Sequence, residues 1–294
     1  MLPVKKYCSF QVGRVEAGLM FVTRNISPKE KLQRADGAIQ SRFFSKDSHT
    51  HISDLFQKGC LKMMLPKSDK PSIDAILLNT AGGIAGGDKL SVHVGLEPMA
   101  HVSLSTQTAE RIYRSDEEFG QSQYYFDLAE MASFFWLAQE TILFNQAKLN
   151  RQFEIHMSST STFLMIEPLV LGRMAMGEVI DEALLHDRWR LYRDGRLCFA
   201  ENFGVTDITK QRGAASLGTA NAFANILFVS PNAESLGCQI EETLTTEKIF
   251  AGYSLFDDMI VVRLVANDSY DMRKTLLRLI PIFTQSPPPP VWLM

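Results

Sequence analysis

Cysteine is scarce in this chain. Cys8, Cys60, Cys198 and Cys238 are the only four in 294 residues, and no two of them form a C-x-x-C pair. Such wide spacing excludes a disulfide framework and fits a reducing, cytoplasmic setting in which the thiols serve as small buried apolar residues. Also missing is any apolar run near the ~18 residues of a membrane span, and the opening MLPVKKYCSF lacks the apolar core of a signal peptide. Positive charge is not in excess. Lys+Arg number 30 against 33 Asp+Glu, a formal net charge of −3, which argues against nucleic acid as the main partner. No H-E-x-x-H, EF-hand loop, Cys/His cluster or G-x-S-x-G elbow occurs. His49 and His51 make a lone H-x-H in the polar stretch DSHTHISD, which reads as a solvated loop.

What is present is a core. The chain is 46% hydrophobic and 10% aromatic, enough to fold without help from disulfides. Period-two patterns dominate its first two-thirds. Leu90, Val92, Val94 and Leu96 alternate with Ser91, His93 and Glu97, and Val102 and Leu104 continue the scheme over His101–Gln107. Phe153, Ile155 and Met157 stand opposite Gln152, Glu154 and His156. His93, His101, His156 and His186 therefore read as polar residues on strand faces. Asp194-Gly195 supplies the positive φ angles of a two-residue hairpin inside Arg188–Asn202, and Asp257-Asp258 marks a second hairpin. Ala132–Ala138 and Thr162–Gly172 are apolar on both faces, which predicts stacked or coiled sheets rather than one sheet with a wet side. Helical spacing is confined to Asn232–Thr243 and Ser269–Ile280, the latter with Met272, Leu276 and Ile280 at i, i+4, i+8. The economical organisation is one domain over 1–294, with a β-rich part at 1–230, a smaller α/β part at 231–285 and a Pro-rich tail at 286–294.

The stretch LLNTAGGIAGGDKL carries Gly82, Gly83, Gly86 and Gly87. A phosphate loop would need a lysine where Asp88 stands, and would need to open a helix rather than the strand that follows. The stretch instead predicts a tight crossing between two strands that holds the Asp88 carboxylate. Other carboxylates sit in apolar or strand contexts. Glu167 interrupts FLMIEPLVLG, where a buried charge must be paired or must coordinate something, and Arg173 is the nearest cation downstream. Glu140 follows an aromatic run, Glu201 closes the second strand of the first hairpin, and Glu110 with Arg111 reads as a polar turn.

Taken in order, NTAGGIAGGDKL, STQTAERIYRS, WLAQETILFNQA, EPLVLGRMAMGE and DRWRLYRDGRLCFAE resemble the urease accessory protein UreD family, called UreH in some bacteria. The similarity is dense from about Asn79 to Asn202 and returns in the tail PPPPVWLM. Ala138 and Gln146-Ala147 depart from residues common in that family. The resemblance implies a mainly β fold with a coiled, β-helix-like sheet arrangement and about two helices. It implies a non-enzymatic scaffold that binds apo-urease and, with UreF and the GTPase UreG, supports nickel delivery. No tightly bound cofactor is implied, only transient Ni2+ along an internal acidic path, carried over to Asp88, Glu167, Glu201 and Glu110. Carboxylates hold Ni2+ less tightly than thiolate or imidazole sets, which suits transit. Arg114 and Arg173 would be interface or ion-pair groups. Two readings compete with this one: an adaptor that nickel never enters, and a metal-dependent hydrolase using Glu167 and Asp88 as ligands.

Overall fold

Successive strands alternate between two sheets, so that the chain winds as a coil. The computed structural model describes residues 33–173, 176–206, 208, 212–213, 216–247 and 249–294. The expectations for Cys8 and for the opening segment lie outside these residues.

The chain enters with a long hairpin, β1 (Asp36–Lys46) and β2 (His49–Gly59), followed by β3 (Leu61–Met64). His49 and His51 are thus on an exposed strand, not in a loop. The coil then runs β4 (Ile73–Asn79), β5 (Lys89–Leu96), β6 (His101–Thr106), β8 (Gly120–Leu128), β9 (Ser133–Leu137), β11 (Ala147–Met157), β12 (Thr162–Leu171) and β13 (Ala183–Arg193). Strands β5, β8, β11 and β13 join one sheet, while β4, β6, β9 and β12 join the other. Neighbours along this stretch pair in parallel, because each turn of the coil returns the chain in the same direction. Two three-residue strands, β7 (Glu110–Ile112) and β10 (Thr141–Leu143), form a short third face. Their ladder runs from the isolated bridge Ile84↔Ile112 through Ile112↔Leu143 to Leu143↔Leu171 of β12. The turn read at Glu110-Arg111 is therefore a strand, too short to show a period.

Two antiparallel hairpins complete the sheets. β13 turns into β14 (Arg196–Val205) at Asp194 (φ 49°) and Gly195 (φ 76°). After β15 (Ala222–Val229), the hairpin β16 (Phe250–Phe256) and β17 (Met259–Ala266) turns at Asp257 (φ 46°) and Asp258 (φ 60°).

The inner faces of the two sheets share an aromatic core in which Phe126, Phe134, Trp136, Phe153 and Phe163 are almost fully buried. The outer face of the second sheet is covered by helices α1 (Gly237–Thr246) and α2 (Ser269–Thr284). This explains why β12 is buried on both sides and reads as an unbroken apolar run. Met272, Leu276 and Ile280 of α2 are buried as their spacing predicts, and Asp268 caps the helix by accepting from Asp271 N. The first turn expected near Asn232 is a 3-10 turn at Ala233–Leu236 that leads into α1. The Pro-rich tail inserts Val291 and Trp292 into this second core. Cys60 and Cys198 are half-buried and Cys238 is exposed, so the cysteines are not the uniformly buried apolar residues expected.

Candidate functional site

One inner rung of the first sheet breaks the apolar rule. Ser122 of β8, Arg151 of β11 and Asp187 of β13 are register partners and are all buried. Arg151 keeps phase with Phe153, Ile155 and Met157, and Asp187 keeps phase with Leu185, Trp189 and Leu191. Glu167 of β12 reaches across from the opposite sheet.

The side chains meet tightly. Arg151 Nη1 donates to Glu167 Oε2 at 2.5 Å, and Nη2 donates to Asp187 Oδ2 at 2.5 Å. Trp136 Nε1 donates to Glu167 Oε1 at 2.5 Å, and Trp189 Nε1 donates to Asp187 Oδ1 at 3.0 Å. Burial pushes the Glu167 carboxyl up to about 7, against the pull of Arg151. Burial works against the Arg151 charge, yet Asp187 and Glu167 hold its pKa above the ordinary value.

Glu167 and Arg151 form the inner end of a cavity of about 80 Å³, room for a few waters. Ser122, Tyr124 and Trp136 line it as well. Its rim is made by Asn79, Gly82 and the segment 107–111, where Gln107, Thr108 and Arg111 are exposed. Glu110 stands in that rim. Asn79 Nδ2 donates to both of its carboxylate oxygens, at 3.1 and 3.2 Å. Burial raises Glu110 to about 7, with Asn79 and Arg111 opposing the rise and Asp88 adding to it.

The remaining predicted positions lie elsewhere. Asp88 is buried with both oxygens engaged, Oδ1 by Ala35 N and Oδ2 by Ala85 N, each at 2.7 Å. It thereby ties the start of β1 to the glycine loop that crosses between sheets. Within that loop Gly82, Gly83 and Gly87 have positive φ (78°, 155° and 87°). Gly86 is required by contact, since a Cβ there would lie 1.9 Å from Ser115 Oγ. Glu201 lies within β14, not at its end, and is ion-paired to Arg263 of β17. The pairing of Arg173 with Glu167 is overturned. Arg173 pairs with Glu178 at 2.9 Å, because Arg151 already occupies Glu167 from the facing sheet. Arg114 pairs with Asp116 at 3.2 Å on the surface. Glu140 is held by Arg273, which also donates to the tail carbonyl of Trp292.

Sequence reasoning passed over Arg151, Asp187 and Asn79. The signal for the first two was their position in the apolar phase of a strand. Among the described residues no group of three or more His, Cys, Asp or Glu is placed to hold a metal ion, and no helix is long and apolar enough to cross a membrane.

A family model described as UreD urease accessory protein matches residues 35–293. The chain belongs to the UreD family. Its relatives include a urease accessory protein UreD from Xanthobacter autotrophicus, 36% identical over 263 residues, covering 88% of this chain and 90% of that one. Another UreD, from Rhizobium leguminosarum bv. viciae, is 34% identical over 272 residues, covering 91% of this chain and 98% of its own length. The UreD of Dinoroseobacter shibae is 36% identical over 272 residues, with 92% and 95% covered. In this UreD-family chain the matched region spans the whole coil, both helices and the tail as far as residue 293.

Proposed function

We propose that this chain is a non-enzymatic scaffold of urease maturation that binds apo-urease together with UreF and UreG. Nickel, as cargo, passes the internal cavity, meeting Glu110 at the rim and Glu167 at the inner end. The observation that carries the reading is one cavity in a UreD-family chain that brings these two carboxylates to a common space while its rim opens to solvent. Oxygen donors of this kind exchange a borderline divalent ion more readily than thiolates or imidazoles do. Asp88 and Glu201 support the path only through the fold, since backbone N–H groups and Arg263 already satisfy them.

The test is co-expression of the urease structural subunits, UreF and UreG with wild-type chain or with Glu110→Gln/Glu167→Gln in nickel-containing medium. The double variant is expected to co-purify with its partners while the urease it matures contains much less nickel. Normal nickel content with a folded variant would remove the ion path and leave a pure adaptor. That second reading draws on one observation, the full engagement of Glu167 by Arg151 and Trp136.

A further inference from the structure

The inner end of the cavity contains a group that an acidic path does not call for, a buried guanidinium. Arg151 is 5% exposed, between Glu167 at 3% and Asp187 at 4%. Besides its two carboxylate bonds it donates from Nη1 to Thr141 Oγ1 at 3.1 Å. Among the described residues its Nε finds no acceptor, so the fork is not fully satisfied by them. A buried ion-pair triad is a weak stabiliser, because apolar side chains of similar volume do as well or better. A role beyond stability accounts for it more simply.

The guanidinium holds one oxygen of Glu167 at Nη1 and one of Asp187 at Nη2, so its removal leaves both carboxylates facing the space it filled. With Arg151 and both carboxylates ionised, the trio carries a net charge of −1. Without it, two carboxylates and a threonine hydroxyl form an all-oxygen set that reaches charge −2 when both are ionised. Two such carboxylates hold a divalent cation more firmly than the single one an ion otherwise meets. We propose that Arg151 is a resident counter-cation that keeps Glu167 and Asp187 from capturing a divalent metal ion. An ion entering the cavity then meets Glu167 as one carboxylate already engaged, and is passed on instead of retained. Asp187 is not among the residues lining the cavity, and Arg151 stands in front of it. The purpose of this device rests on the nickel-path reading, whereas the site itself is defined by Arg151, Glu167, Asp187 and Thr141.

The experiment uses the full chain, NiCl2 as probe, and nickel retained per chain after gel filtration. Wild type and Arg151→Lys, which keeps the charge, are expected to retain little. Arg151→Met is expected to retain about one Ni2+ per chain, and Arg151→Met/Asp187→Asn to return to the wild-type level. Should Arg151→Met be unfolded without metal, Ni2+ is expected to restore its folded state, since an ion that binds only the native form stabilises it. A folded Arg151→Met that retains no nickel, one that stays unfolded in saturating Ni2+, or a folded Arg151→Lys that retains nickel overturns the proposal. Urease loaded normally by Glu110→Gln/Glu167→Gln would overturn the ion path while leaving the retention result standing. Low loading by that variant with no retention by Arg151→Met would overturn only the closing role of Arg151.

Discussion

Glu110→Gln separates electrostatics from packing at the cavity rim. Glu110 is half-buried on the short strand β7, and burial raises its pKa from 4.5 to about 7. The native state therefore keeps this proton to higher pH than the unfolded chain does. The group weakens the fold progressively as pH rises through that window, and its full cost applies above it. At ~1.4 kcal/mol per pKa unit, a rise of this size amounts to at most about 3.5 kcal/mol. The rim is partly open to solvent, which screens the charge, so about 1–2 kcal/mol is expected. Glutamine cannot ionise and keeps one oxygen to accept from Asn79 Nδ2. Guanidinium unfolding of wild type and variant at pH 5 and pH 8 isolates the effect, because every other titrating group cancels in the difference. The two proteins are expected to agree within about 0.5 kcal/mol at pH 5, with the variant more stable at pH 8 by about 1–2 kcal/mol. A difference that does not change with pH, or a variant less stable at pH 8, would refute the assignment of a buried, proton-retaining carboxyl.

Asp88→Ala removes two charge-assisted acceptors from part-buried backbone N–H groups and is expected to cost about 3 kcal/mol. An unchanged denaturation midpoint would show that the clasp does not hold the loop. Gly83→Ala places a Cβ 2.5 Å from the Arg111 carbonyl and 2.4 Å from the Tyr113 ring, whereas Gly82→Ala meets open space. The first is therefore expected to destabilise clearly more than the second, whose cost of about 1 kcal/mol comes from φ alone, and equal melting temperatures would contradict the crossing geometry. Trp292→Ala empties a fully buried site that also donates Nε1–H to Leu137 O, at an expected loss of about 3–5 kcal/mol. Limited proteolysis should then cleave near α2, and resistance equal to wild type would show the tail to be dispensable.

What the sequence made legible follows from the range of the forces involved. The hairpins at Asp194-Gly195 and Asp257-Asp258 are local events set by φ, and both occur. Alternation revealed the strands with one wet face, and the double-sided apolar run Thr162–Gly172 pointed to β12 between two covered faces. Period fails on β7 and β10, which are three residues each, so the third face and with it the rim of the cavity were hidden. Glu167 illustrates the same limit at the site. Chain proximity favours Arg173, but the coil places β11 against β12 from the opposite sheet and gives the carboxylate to Arg151. The double-sided apolar runs left stacked and coiled sheets both open, and family resemblance alone selected the coil.

The coil also sets how the chain reaches this structure. In its parallel stretches neighbouring strands of one sheet are separated by a full turn, so that Asp36 pairs with Lys89 and Arg151 with Asp187. Outside the hairpins little of either sheet can close early from local contacts, and loop-closure entropy must be met before long-range pairing rewards it. Folding is expected to be slow, with apolar strands unpaired for longer than in a meander of the same size. The edge strand β16 keeps such a surface even at the end, with Phe250 84% and Phe256 42% exposed. Yield in recombinant expression should therefore depend on how fast the chain is made relative to how fast the coil closes, and should improve when synthesis is slowed.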